Sequence, residues 1–167
     1  MTERIDAILD AAERRIRTRG YNGFSFREVA TDVGIKSASV HHHFPTKVDL
    51  AAAVARRYRE RFEAAIEADE RNGTDRIVAW RNAFRRSLAD DGLMCLCGVL
   101  AVEGDALPEP VAVEARAFLE RGIAAIGEGQ SDRALGARVL AQLEGAMLLA
   151  RSMGQIAVFD RATDALA

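Results

Sequence analysis

The sequence predicts an all-α protein, on three observations. Apolar residues recur at helical spacing in nearly every segment. No stretch alternates in the two-residue period of a strand. The breaks between periodic segments carry helix punctuation: capping Ser, Thr and Asp at starts, Gly and Pro at ends.

The first helix is expected from about Glu3 to Arg19, with Ile5, Ile8, Leu9, Ala12 and Ile16 on its buried face and Gly20 as its stop. Ser25 and Glu28 have the spacing of a capping box and start a second helix. Its inward face is Phe26, Val29, Ala30 and Val33, at i, i+3, i+4 and i+7. Gly34 permits a sharp turn. A short third helix follows from about Ser37 to His43, anchored by Val40 and Phe44. Its other residues, Lys36, Ser37, Ala38, Ser39, His41 and His42, are small or polar. Small side chains allow close approach to a major groove, and donors can meet phosphates and base edges. Residues 25–44 thus read as a helix-turn-helix.

Pro45 interrupts the chain, and Thr46 with Asp49 caps a long fourth helix toward Glu70. Leu50, Val54, Tyr58, Phe62 and Ile66 run along it in steps of four. Asn72-Gly73 ends it, and Thr74 is the expected cap of a fifth helix bearing Ile77, Trp80, Phe84 and Leu88. Asp90-Asp-Gly92 marks a turn before an apolar stretch from Leu93 to Val102. Pro108 and Pro110 precede a helix from about Val111 to Ile126, Pro110 being suited to an early helical position. After Gly127-Glu-Gly129, Ser131 is the expected cap of a segment reaching Met153, and a last short helix is expected within Gln155–Ala167.

Several pieces in order resemble the DNA-binding domain of the TetR family of bacterial transcriptional regulators: Ile8-Leu-Asp-Ala-Ala12, Arg19-Gly-Tyr-Asn-Gly-Phe-Ser25, Val29-Ala30 with Gly34, and His42-His-Phe-Pro-Thr-Lys47. The resemblance covers roughly the first third of the chain. It implies an N-terminal three-helix DNA-binding domain with a helix-turn-helix, residues 2–62, and a C-terminal helical ligand-binding and dimerisation domain, residues 63–167. The family usually carries an aromatic residue, most often Tyr, where this chain has His41.

Bulk properties set limits. At 167 residues there is room for a sizeable core, and 49% apolar with 29% charged residues is the composition of a soluble globular protein rather than a disordered or membrane one. No apolar run approaches the roughly 20 residues of a membrane span. The start, Met1-Thr-Glu-Arg-Ile-Asp, lacks a signal-peptide pattern, and two cysteines are too few for a disulfide scaffold, so a reduced cytoplasmic protein is expected. Charge is unevenly placed. Residues 1–61 hold 12 Lys+Arg against 8 Asp+Glu, a net +4; residues 62–167 hold 11 against 17, a net −6. A cationic head on an anionic body fits a phosphate-bearing partner at one end.

Candidate DNA contacts follow from the motif. Arg27, at the start of the second helix, is either a phosphate contact or a solvated charge. Lys36, Ser37, Ala38 and Ser39 open the third helix, whose first residues reach bases and phosphates in helix-turn-helix docking. Matched onto the family motif, His41 and His42 face DNA, and Lys47 falls at a position that contacts the DNA backbone. Consecutive helical residues point about 100° apart, so the three adjacent histidines do not form a metal pair, and neither metal nor cofactor is expected.

The C-terminal part offers fewer signals. Trp80, Phe84, Met94, Phe118 and Met147 are large apolar residues that either line an effector pocket or simply fill the core. Glu103 and Gln142 are possible polar anchors. Such a pocket would take a small hydrophobic or aromatic effector. Cys95 and Cys97 are either buried small hydrophobes or sensing thiols; the segment also resembles one found in a subset of TetR-like regulators. The Ser131 segment mixes a wide apolar face with Gly136, Ala137, Gly145 and Ala146, which suits close packing inside the subunit or, as the resemblance implies, against a second subunit. The expected function is a ligand-responsive repressor binding double-stranded operator DNA as a homodimer. An enzyme is the rival class, but all three His lie in the DNA-binding motif, which leaves the body without one. A non-repressing relative, an activator or a protein with a vestigial pocket, is a second rival.

Overall fold

A computed structural model describes residues 2–166. Met1 and Ala167, the two ends of the expectations above, lie outside the described residues. Among the described residues there are nine α-helices and no strand. They are α1 (Thr2–Arg19), α2 (Phe26–Val33), α3 (Ser37–His43), α4 (Lys47–Arg71), α5 (Arg76–Asp91), α6 (Leu96–Glu103), α7 (Glu109–Gly127), α8 (Leu135–Met153) and α9 (Ile156–Ala162). Short 3-10 turns occur at Tyr21–Gly23, Gly104–Ala106 and Asp164–Leu166. None of the described helices is long and apolar enough to cross a membrane.

The chain forms two compact units. One joins residues up to Arg59 with Leu96–Arg116; the other joins Glu60–Cys95 with residues from Ala117 onward. The long helices α4 and α7 therefore each contribute to both.

In the first unit Ile8, Ala12 and Ile16 of α1, Val29 of α2, Val40 of α3, and Leu50 and Val54 of α4 are fully buried or nearly so. These are the positions the helical period selects. Ser25 caps α2: its Oγ accepts from the Glu28 N–H at 3.3 Å and donates to the Glu28 carboxylate at 2.8 Å. Gly34 closes α2 in the left-handed region at φ 73°. The Thr46–Asp49 box is reciprocal, with Thr46 N–H donating to Asp49 at 2.9 Å and Asp49 N–H to Thr46 Oγ1 at 3.1 Å. Buried charges are paired across helices: Glu114 of α7 accepts from Arg56 Nε at 2.8 Å and lies 3.4 Å from Arg59 Nη2.

In the second unit α5 packs against α8 and α9. Two starts differ from the sequence reading. Asp75, not Thr74, caps α5, its carboxylate accepting from the Ile77 and Val78 amides at 2.8 and 3.4 Å. A carboxylate satisfies two orphan amides at once and suits the positive end of the helix. The last long helix begins at Leu135 rather than just after Ser131: Asp132 accepts from the Ala134 amide in a turn ahead of it and pairs with Arg138 of the helix itself. Gly136 is needed for close approach: a Cβ there would stand 2.0 Å from the Ile123 carbonyl oxygen of α7. The end of the chain is held by Arg85, which donates to Asp160 at 2.6 and 3.1 Å, and by Arg81, which donates to the buried Thr163 hydroxyl at 3.0 Å.

Candidate nucleic-acid interface and effector region

The helix-turn-helix is built as its sequence implies, with the apolar faces of α2 and α3 turned inward and the polar residues outward. Arg27, Lys36, Ala38, His41 and His42 are exposed, and Ser37 and Ser39 are half-buried. These candidates therefore share the accessible surface of one short motif. The His41 ring packs edge-on against Phe26, centroids 4.4 Å apart, which holds it at the surface of α3. Among the described residues no group of three or more His, Cys, Asp and Glu could hold a metal ion.

Lys47 is placed differently from a fully solvated cation. Its ammonium lies 4.6 Å from the centroid of Tyr21 and 4.7 Å from that of Phe24. The two rings meet edge to face at 6.2 Å. Burial lowers the Lys47 pKa, partly opposed by the negative charges of Glu103 and Glu28. An ammonium above two aromatic faces is attracted by their quadrupoles, so the side chain is held in one place at the start of α4.

Two groups near this surface escaped the sequence reading. Arg4, exposed at the start of α1, lines one groove with Val33, Ile35, His42 and His43. The second is the contact made by Glu103, a possible polar anchor of an effector pocket on sequence grounds. Its carboxylate accepts from the Tyr21 N–H at 2.5 Å and lies 3.4 Å from Asn22 Nδ2. Gln142 donates to the Ala162 carbonyl at 2.7 Å. No local signal could have revealed either contact.

Of the effector candidates, the second unit brings Trp80, Phe84 and Phe118 together around Phe62, with centroids 6.0, 5.2 and 5.3 Å from its ring. All four rings are buried. Cys95 and Met147 meet as well, the Cys95 N–H donating to the Met147 sulfur at 3.0 Å. Met94 is half-buried beside Cys95 in the chain. Cys97, by contrast, falls in the first unit. Both thiols are buried. An open cleft of about 290 Å³ lies along α4, α5 and α7, lined by Ile66 and Trp80 and by the charged residues Glu63, Glu67, Glu70, Arg76, Arg121 and Glu128. Glu144 is the unexpected member of this unit. Burial pushes its carboxyl up to about 7, and the Cys95 thiol hydrogen-bonds it. Its Oε1 has no hydrogen-bond partner.

An all-helical protein with an exposed helix-turn-helix near its N-terminal end has the architecture of a DNA-binding transcriptional regulator, and comparison with known proteins specifies which. The sequence model for bacterial regulatory proteins of the tetR family matches residues 8–54. A TetR-family transcriptional regulator from Agrobacterium tumefaciens is 34% identical, with a TM-score of 0.87 over 99% of this chain and 96% of that one. A TetR transcriptional regulator from Legionella pneumophila is 29% identical, with a TM-score of 0.86 over 96% and 93%. The reduced form of E. coli NemR, 19% identical with a TM-score of 0.77 over 98% and 95%, shares the fold. A search of curated proteins gives no match. The chain belongs to the TetR family of transcriptional regulators.

Proposed function

We propose that this regulator is a homodimeric repressor whose hold on operator DNA is released by a small hydrophobic or aromatic effector. Function divides near residue 62: residues 2–62 bind DNA and residues 63–167 sense and dimerise, with Leu96–Arg116 of the sensing part packed in the same compact unit as the DNA-binding helices. The observation that carries the reading is the exposed row on α3 and its flanks, Lys36, Ala38, His41 and His42, beside a fixed Lys47. Lys36 through Ser39 and the two histidines would enter the major groove, while Arg27 and Lys47 would meet phosphates.

The dimer reading rests on α8 and α9. One face of α8 is core: Val139, Leu140, Leu143, Ala146, Met147 and Ala150 are buried. Another face is apolar yet exposed, with Leu148 at 54% and Met153 at 58% accessibility, and Ile156 of α9 is exposed as well. A Cβ at Gly145 would meet nothing within 4 Å, so this face has room for a second helix at close range. The apolar character of the Phe62, Trp80, Phe84 and Phe118 cluster supports a hydrophobic effector over a sugar or an amino acid. In a cytoplasmic regulator of this kind, effector binding would respace the two recognition helices, and by linkage DNA would weaken effector binding by the same factor.

A reporter driven by a promoter that carries the site selected by the protein tests the proposal. Lower expression in the presence of the protein, restored by an apolar compound that also dissociates the purified complex, is the expected result. Raised expression would make it an activator, and no compound able to restore expression would remove the inducer.

A further inference from the structure

The end of α6 is tied to the turn between α1 and α2. Glu103 reaches across 82 positions of sequence to take the Tyr21 amide at 2.5 Å, and its second oxygen faces Asn22. Tyr21 opens the 3-10 turn that joins α1 to α2, and its amide is the first of that turn. Gly20 sits at φ 75°, and a Cβ there would stand 2.4 Å from Glu103 Oε1. The glycine thus serves both the left-handed turn and the approach of the carboxylate. Tyr21 and Phe24, at either end of this turn, carry the rings that hold the Lys47 ammonium.

We propose that Glu103 is a positioning residue for DNA binding: from the last turn of α6 it fixes the Tyr21–Phe24 ring pair, and that pair presents Lys47 to a backbone phosphate. The inference rests on Lys47 being a phosphate contact. It makes the position of α6 a determinant of DNA affinity, since a shift of this helix end breaks one charge-assisted hydrogen bond and frees the lysine. The acceptor and its reach matter here, more than the negative charge, which by itself opposes an approaching phosphate.

The test uses the full chain and a duplex carrying the site it selects from genomic fragments, with affinity followed by fluorescence anisotropy as salt is varied. Glu103→Ala and Glu103→Asp, the second keeping charge but losing reach, are expected to bind about tenfold more weakly, with the salt slope reduced by about 0.9 per protomer. Glu103→Gln keeps reach and acceptor and should stay within about twofold of wild type. In the Lys47→Ala background, Glu103→Ala should add no further loss. A full additional loss there overturns the inference, as does wild-type binding by Glu103→Asp. If Glu103→Ala does not fold, the contrast between the Asp and Gln variants decides. Should Lys47→Ala itself leave affinity and slope unchanged, the phosphate contact falls and the inference with it. Weakening by Lys47→Ala without weakening by Glu103→Asp removes the inference alone.

Discussion

Arg15 of α1 grips Asp32 of α2 through two hydrogen bonds, Nε to Oδ2 at 2.6 Å and Nη2 to Oδ1 at 2.9 Å. The same guanidinium donates to Glu28 at 3.0 Å, so one side chain fixes the orientation of α2 on α1. A planar fork matched to a carboxylate gives direction as well as attraction. The hydrogen bonds from Arg15 hold the Asp32 carboxyl below its ordinary range. A depressed carboxylate contributes stability that is present above the unfolded value and lost as pH falls through the folded one. Arg15→Met should therefore lower stability by about 1 kcal/mol or less, since Asp32 is well exposed and the pair is screened. The gap from wild type in thermal melts should be largest near pH 7 and close below the carboxylate range. A gap independent of pH would assign the loss to packing alone.

Glu144 behaves in the opposite sense. Its folded-state pKa is raised to about 7 from an ordinary 4.5 by burial. The native state then binds more protons than the unfolded state between these values, so stability falls as pH rises from about 4.5 and levels off above 7. Glu144→Gln removes the charge while keeping an acceptor for the Cys95 thiol. It should stabilise the protein at pH 8 by on the order of 1 kcal/mol and bring little change at pH 4. Equal melting-temperature shifts at both pH values would show that the carboxyl is not held neutral in the fold.

Arg4 tests the edge of the DNA surface. It shares a groove with His42 and His43, so a duplex seated on α3 would find it within reach. Arg4→Ala should weaken binding to all sequences alike and reduce the salt slope by about 0.9 per protomer. A change in sequence preference with an unchanged slope would place Arg4 at base edges instead.

The exposed face of α8 predicts the effect of charge at the proposed subunit contact. Leu148→Asp with Met153→Asp would place carboxylates where two apolar faces must meet, at a desolvation cost large enough to separate them. Gel filtration with light scattering should give a dimer for wild type at micromolar concentration and a monomer for the double variant, with an unchanged helical spectrum. A wild-type monomer would remove the dimer.

The legible and illegible parts of this chain divide by distance along the sequence. The faces of α1, α2 and α4, the Ser25–Glu28 and Thr46–Asp49 boxes and the Gly34 turn are local patterns, and each was readable. The Asp75 cap and the Asp132 turn contact are also local, but neighbouring Thr74 and Ser131 offered equally good caps, and only the backbone path chooses between them. Glu103 on Tyr21 and the placement of Lys47 depend on pairing residues 23 to 82 positions apart, which no periodicity records. The aromatic residues were picked out individually, while their gathering around Phe62 came only with the fold. Glu144 looked like one more charge on a helix until its burial was known.

Sequence-specific regulation is tested by mixing the purified protein with sheared genomic DNA at physiological salt, recovering what it retains, and sequencing it. The expected result is enrichment of one near-palindromic site whose half-sites are about 10 base pairs, or a multiple of that, apart. Retention without a shared sequence would mean that the cationic head binds phosphates alone, and would contradict sequence-specific regulation by this protein.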